Sequence, residues 1–385
     1  MLEIRRGTPK DFSQVTDQVV ASFRTHTPAH PRFEDYDPST VNPTPQAMSA
    51  WRLAFVDGKL AGGLVMVPRR LRLGKTEVTY GGIGHVHCMP GFRKHGVFSA
   101  LMRRVVQDMR QEGILLSALG GDRLRYGHYG WEHGGVYRTL RLEPAMLRFR
   151  PPEDEPSILE FREYRGDEAD TLRLWKARES AFACPLKSSP QECKATLLKP
   201  GRPVYLWNPT ESQFAYAVLK DRTILEYGGD VEGVERIVRY VLQTGNWNVL
   251  VPPPECSGPL EEMLDGYAQC FLTENLSQFR VNFLGRALEA YRPWLEERLA
   301  FWQGSLTLKV EDGEDSETVA LAKAPGKPLV IQEESQEEPT LTLSRRELPP
   351  LLFGPGLPAA LSHDPSPFWR MAFPLPLFWP SLEHV

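Results

Sequence analysis

The stretch from Gly82 to Trp131 constrains the fold of this 385-residue chain more than any other. It opens with an apolar, strand-forming run, Ile83 to Cys88, which Met89-Pro90 closes. A basic turn follows, Arg93-Lys94-His95-Gly96. Val97, Leu101, Val105 and Met109 then recur four apart, the spacing of one helix face. Gly113 stands where a helix-ending glycine belongs. Ile114 to Leu119 is a second apolar run of strand length, and Tyr126-Gly127-His128-Tyr129-Gly130-Trp131 reads as an aromatic turn.

The basic turn carries the chemistry. The first amides of a helix have no internal partners and point outward. The helix dipole adds partial positive charge at the same end. A glycine at the entrance lets a ligand approach the backbone, so the combination binds phosphate. Arg93, Lys94 and His95 add charge. Neither G-x-x-x-x-G-K-[ST] nor a G-x-G-x-x-G after the first strand is present.

Arg93-Lys94-His95-Gly96-Val97-Phe98 resembles the R/Q-x-x-G-x-G/A pyrophosphate loop of the GNAT acetyltransferases. The wider stretch, with Pro-x-x-Arg-x-x-Gly at Pro90 to Gly96 and Tyr-Gly-x-x-Gly at Tyr126 to Gly130, is similar to the enhanced-intracellular-survival (Eis) type. Those are multi-domain N-acetyltransferases that include aminoglycoside-modifying members. Phe98 stands where the general loop has Gly or Ala, a position at which the Eis type accepts larger residues.

The resemblance implies an α+β chain of two tandem GNAT-like folds followed by a sterol-carrier-like α/β domain. It implies acetyl-CoA as co-substrate and no metal. Arg93, Lys94, His95, Gly96, Val97, Phe98 and Ser99 would surround the pyrophosphate. The backbone of Val86, His87 and Cys88 would pair with pantetheine as an added strand. Asp122 joins the cofactor-binding set. Tyr126 falls on the tyrosine that serves as general acid to the departing thiolate. Its pKa, about 10 unperturbed, keeps that proton available at neutral pH. The terminal carboxylate, here Val385, or a water chain would act as base on the acceptor amine. A homo-oligomer, trimer or hexamer, is also implied.

Net charge is −4, so no global basic excess points to nucleic acid. The five cysteines, Cys88, Cys184, Cys193, Cys256 and Cys270, are scattered and form no C-x-x-C, which argues against a zinc knuckle or a disulfide framework. The N-terminal residues lack the apolar core of a signal peptide, and no run of about 18 apolar residues is present. A reducing, cytoplasmic setting is expected.

Along the chain, Leu2 to Arg5 is a strand, and Phe12, Val15, Val19 and Phe23 mark a helix. Residues 26–46 read as a loop, part of which borders the substrate cleft. Trp51 to Phe55 and Lys59 to Val67 form a hairpin about Asp57-Gly58, and Leu71 to Tyr80 is read as a further strand. Three domains follow: 1–150, then 151–288 after the acidic linker Glu153-Asp154-Glu155-Pro156, then 289–385. The middle one repeats the order of the first, yet Gly229-Asp230-Val231-Glu232 would repel phosphate, so it is read as degenerate. In the last, Ser344-Arg345-Arg346-Glu347 is a capping box, and a proline-stiffened apolar tail runs from Phe368 to Trp379.

His85 and His87 share one strand face; with no third ligand nearby, a packed or substrate-facing role is expected rather than a metal site. Cys88 has no identifiable activating base. The expected acceptor is a primary amine: an aminoglycoside, a polyamine or lysine. Glu34, Asp35, Asp37 and Asp122 suggest a cationic one. The competing readings are a non-catalytic acyl-CoA-binding regulator and a carrier of apolar ligands in the last domain.

Overall fold

The computed structural model of the chain describes residues 1–24, 41–73, 76–149, 156–181, 186–313, 315–355, 367–379 and 382. The first stretch carries β1 (Leu2–Arg6), α1 (Phe12–Arg24), β2 (Trp51–Val56), β3 (Lys59–Leu73) and β4 (Thr76–Cys88). It continues with α2 (Val97–Gln111), β5 (Leu116–Leu119), α3 (Arg123–Gly127) and β6 (Glu132–Leu142). The middle stretch holds β7 (Phe161–Glu163), α4 (Glu168–Ala181), β8 (Leu186–Lys187), α5 (Pro190–Leu197) and β9 (Val204–Trp207). After it come β10 (Ala215–Lys220), β11 (Thr223–Gly229), α6 (Val231–Leu242), β12 (Trp247–Val251) and β13 (Ala268–Val281). The last stretch has α7 (Leu284–Ala290), α8 (Arg292–Arg298), β14 (Gly304–Asp312), β15 (Asp315–Lys323), β16 (Val330–Glu333), β17 (Leu341–Ser344), α9 (Leu348–Phe353) and α10 (Pro367–Ala372).

β1 to β13 build one sheet in the order β1-β2-β3-β4-β5-β13-β6-β12-β11-β10-β9-β7, with β8 beside β3. β14 to β17 form a second sheet, β16-β15-β14-β17. In the large sheet β4 runs parallel to β5 and β11 parallel to β12. Each pair is joined through a helix, α2 or α6, as parallel pairing requires. α2 turns Val97, Leu101, Met102, Val105 and Met109 onto Leu64, Met66 and Ile83 of the sheet. Its one buried carboxylate, Asp108, accepts from Arg52 Nε at 2.8 Å and Arg104 Nε at 2.7 Å, so no charge is buried alone.

The two halves of the large sheet exchange strands. β13, from the middle stretch, lies between β5 and β6 and pairs Gln278–Val281 with Leu116–Leu119. In return β6, from the first stretch, pairs Arg138–Leu142 with Val251–Trp247 of β12. The pairing crosses the division expected near residue 150, and α7 crosses the one expected at 288/289. Beyond β5 the other edge of β13 has no strand partner among the described residues, and Gln269–Asn275 are all exposed.

Three sequence expectations change. Leu71 to Tyr80 is not one strand: β3 runs to Leu73 and β4 begins at Thr76, because strand formers on both sides of Gly74 read as continuous. Ile83 to Cys88 is only the end of the 13-residue β4. The aromatic turn contains α3, which Asp122 starts by accepting the N–H groups of Leu124 and Arg125. Residues 26–40 of the expected loop, with Glu34, Asp35 and Asp37, lie outside the described residues, as do Glu153 to Glu155 and Val385.

The tail packs inward. Phe368, Trp369, Leu375, Leu377, Phe378 and Trp379 are buried in a core shared with Tyr80, Leu116 and Phe279 of the large sheet. The Trp379 ring lies edge-on to Tyr80 at 5.1 Å and to Phe279 at 5.2 Å. Tyr291 donates its hydroxyl to the Pro376 carbonyl at 2.8 Å, and Leu375 N–H donates to Leu352 O at 2.6 Å. Trp379 is 0% exposed. Trp379→Ala is therefore expected to destabilise the chain by about 3–5 kcal/mol in a guanidinium unfolding curve. A loss under about 1 kcal/mol would mean that the tail does not close this core.

Candidate active site

The site forms where β4 leaves β5. Their parallel pairing covers only Tyr80–Ile83 against Leu116–Leu119. On the other side of β4 a register shift places Gly63 opposite His87 and Val65 opposite Gly84. His85 and Val86 thus face a single residue of β3, a β-bulge, with His85 at φ +51°. From Gly84 to Cys88 the β5-facing edge of β4 has no strand partner among the described residues.

The chain then turns through Pro90–Phe92 to Lys94 (φ +68°) and Gly96 (φ +73°), and α2 begins at Val97. Gly96 is the N-cap, and among the described residues no side chain caps this end. The first intrahelical bond runs from Ala100 N–H to Gly96 O at 2.9 Å. The amides of Val97, Phe98 and Ser99 precede it and are left for an external acceptor. Among the described residues, chain neighbours aside, no atom lies within 4 Å of where a Cβ on Gly96 would sit, which leaves the backbone open to a ligand.

A cleft of about 780 Å³ opens at this point. Its walls are Ala21, Ser22 and Phe23 at the end of α1, the strand Val86–Pro90, the turn residues Phe92, Arg93, Lys94 and Gly96, then Val97, Phe98 and Ser99, with Arg125 opposite. Of the residues singled out by sequence, Val86, His87, Cys88, Arg93, Lys94, Gly96, Val97, Phe98 and Ser99 thus come together. His95 is exposed beside them, its Nδ1 3.0 Å from the Arg93 carbonyl. Asp122 and Tyr126 are not in the cleft wall, and Val385 lies outside the described residues.

Tyr126 lies behind Phe98, ring centroids 5.8 Å apart, and is 7% exposed. Its hydroxyl has no hydrogen-bond partner among the described residues. Burial raises its phenol pKa above the ordinary 10.0; Arg125 opposes this and Asp122 adds to it. Burial also raises the Cys88 thiol, against the pull of Arg93, so no thiolate is prepared there. His87 is held neutral: burial lowers its pKa, opposed by the 2.8 Å contact of Nδ1 with the His85 carbonyl. Both imidazoles lie against Trp51. Among the described residues no group of three or more His, Cys, Asp or Glu could hold a metal.

Residues 3–134 match the family of acetyltransferase (GNAT) domains. No curated protein matches the sequence. A probable N-acyltransferase from Enterococcus faecalis shares the fold at TM-score 0.69 and 13% identity, covering 98% of this chain and 97% of its own. A GCN5-related N-acetyltransferase from Anabaena variabilis does so at 0.68 and 14%, covering 99% and 98%. Eis1 from Mycobacterium abscessus does so at 0.67 and 14%, covering 97% of each chain. At such identities the likeness is one of fold, and it extends over the whole α+β chain.

Against α3 lies a group that sequence reasoning missed. Glu132, at the start of β6, accepts from Arg123 Nε, from its neighbour's His133 N–H at 2.8 Å, and from Arg346 Nε at 2.6 Å. Arg346 is distant in sequence, and only the fold brings it here. Burial alone would raise the Glu132 pKa, but these three donors outweigh it and hold the carboxyl below its ordinary 4.5. A carboxylate depressed in the folded state stabilises above its ordinary pKa and loses that contribution as pH falls through the folded value. The stability gap between the native chain and Glu132→Gln should therefore be widest near neutral pH and shrink once pH drops below 4.5, read by thermal melts across a pH series. A gap that stays constant with pH would exclude this charge.

Proposed function

We propose that the chain is an acetyl-CoA-dependent N-acetyltransferase that moves the acetyl group directly to a primary amine. One observation carries the reading: an open strand edge and an uncapped helix start face the same cleft. The amides of Lys94 to Ser99 would take the pyrophosphate, with Arg93, Lys94 and His95 supplying charge at the rim. The free edge at Val86 to Cys88 would take pantetheine as a strand takes a neighbour. The cleft volume of about 780 Å³ and the open space at Gly96 suit such a ligand.

In the reaction the amine nitrogen attacks the thioester carbonyl after losing a proton to a base, the Val385 carboxylate or a water. The carbon–sulfur bond then breaks, and the Tyr126 hydroxyl gives its proton to the leaving thiolate. Burial suits Tyr126 to this role, since a raised phenol pKa keeps the proton in place at neutral pH. Holding amine and thioester in register supplies several kcal/mol more.

We read 151–288 as a degenerate second GNAT-like unit. Its β11-α6-β12 crossover repeats β4-α2-β5, but Asp230 stands before α6, its carboxylate accepting Phe214 N–H at 2.6 Å. That anion at the helix start disfavours phosphate. Residues 289–385 are read as a sterol-carrier-like unit that backs the first domain.

Calorimetric titration with coenzyme A tests the core of this reading. Gly96→Val forces a side chain into left-handed backbone at a cost of about 1–2 kcal/mol. Binding by the native chain, weakened about tenfold or more in the variant, is expected. Equal binding by both, or none by either, would overturn the loop assignment. Tyr126→Phe is expected to lower kcat about 10²-fold in a thiol-release assay while coenzyme binding holds. In the native enzyme the fall in rate from Tyr126 ionisation should come above pH 10. An unchanged rate in Tyr126→Phe removes the residue from the chemistry.

A further inference from the structure

The capping box at Ser344 does more than end a strand. Glu347 accepts the Ser344 N–H at 2.8 Å and so holds the two arginines between them in a fixed turn. Arg345, 2% exposed, donates to the Val281 carbonyl at 3.3 Å and to Glu317 at 3.2 Å, with Asp312 3.4 Å away. It anchors the turn between the two sheets. Arg346 then reaches the GNAT domain and donates Nε to Glu132 at 2.6 Å. Its guanidinium lies against Gly127, where a Cβ would come within 2.8 Å of Cζ and 2.9 Å of Nε. Gly127 follows Tyr126 in α3, and Arg123, the first residue of α3, binds the same Glu132.

The Tyr126 ring packs on Phe98 at 5.8 Å, but its hydroxyl has no hydrogen bond among the described residues, so its placement also depends on what holds α3. Asp122 fixes one end. The Arg123–Glu132–Arg346 group fixes the side. We propose that Arg346 is a positioning residue, through which the C-terminal unit sets the placement of Tyr126; this rests on reading Tyr126 as the proton donor. Arginine suits the task because its planar group can cover Gly127 while donating to a carboxylate. A lysine keeps the charge and loses the plane.

Three variants test this: Arg346→Ala, Arg346→Lys, and Gly127→Ala, which pushes the guanidinium away but leaves its charge. Arg346→Ala and Gly127→Ala should each lower kcat about 10- to 100-fold, with KM for acetyl-CoA within about twofold of native. Arg346→Lys should restore only part of the rate. In the double variant Gly127→Ala should add little, since the two changes remove one contact. Hydrogen exchange at residues 123–131 should quicken in all of them. Unchanged exchange and kcat in Arg346→Ala, alongside a slow Tyr126→Phe, would overturn the positioning role and leave the proton donor standing. Quickened exchange alongside a fully active Tyr126→Phe would support the hold on α3 and overturn the proton donor.

Discussion

Four residues of parallel pairing, Tyr80–Ile83 against Leu116–Leu119, hold β4 and β5 together before they part. Everything at the cleft depends on that ladder ending where it does. A backbone group in a sheet must find a partner or meet solvent, and Val86 to Cys88 line the cleft instead of pairing with β5. The bulge at His85 bends the strand at the same place, and Trp51 packs on both histidines to hold the bend. An exposed strand edge invites stray pairing. Here the opening is short and enclosed by α1, the Gly96 turn and Phe98, which restricts what can enter.

The second sheet is part of this arrangement rather than an appendage. Arg280, 1% exposed, donates to the Tyr129 carbonyl at 2.6 Å and pairs with Asp312 of β14. Burial lowers its pKa to about 10; Asp312 opposes this and Arg345 adds to it. A cation so placed tolerates no bulk: a Cβ on Gly130 would lie 2.1 Å from its Nη1. The Tyr-Gly-x-x-Gly stretch is thus shaped by two arginines, Arg280 and Arg346, neither of which lies in the first 150 residues.

What sequence made legible was local. The four-residue spacing of Val97, Leu101, Val105 and Met109 and the glycine before it located α2 and its open start, because both depend only on neighbours along the chain. The cleft lining from Val86 to Ser99 followed from the same stretch. The long β13 was missed, because its residues 269–275 are exposed and carry no one-sided apolar pattern. α3 was missed since five residues are too short for a period, although Asp122 is a capping residue type. Glu132 and Arg346 could not be paired from sequence at all, being 214 residues apart. Asp122, expected at the coenzyme, spends its carboxylate capping α3.

The exchange of β6 and β13 has a consequence for how the polypeptide is made. Ser277, which donates its hydroxyl to the Leu119 carbonyl, leaves the ribosome 158 residues after that partner. At translation rates of roughly 5–20 residues per second, that is a wait of about 8–30 seconds. Through that interval Leu116 and Ala118 stand on a nascent strand whose outer neighbour does not yet exist. The sheet that carries the cleft therefore closes late, only after β13 has been made and can take its place beside β5.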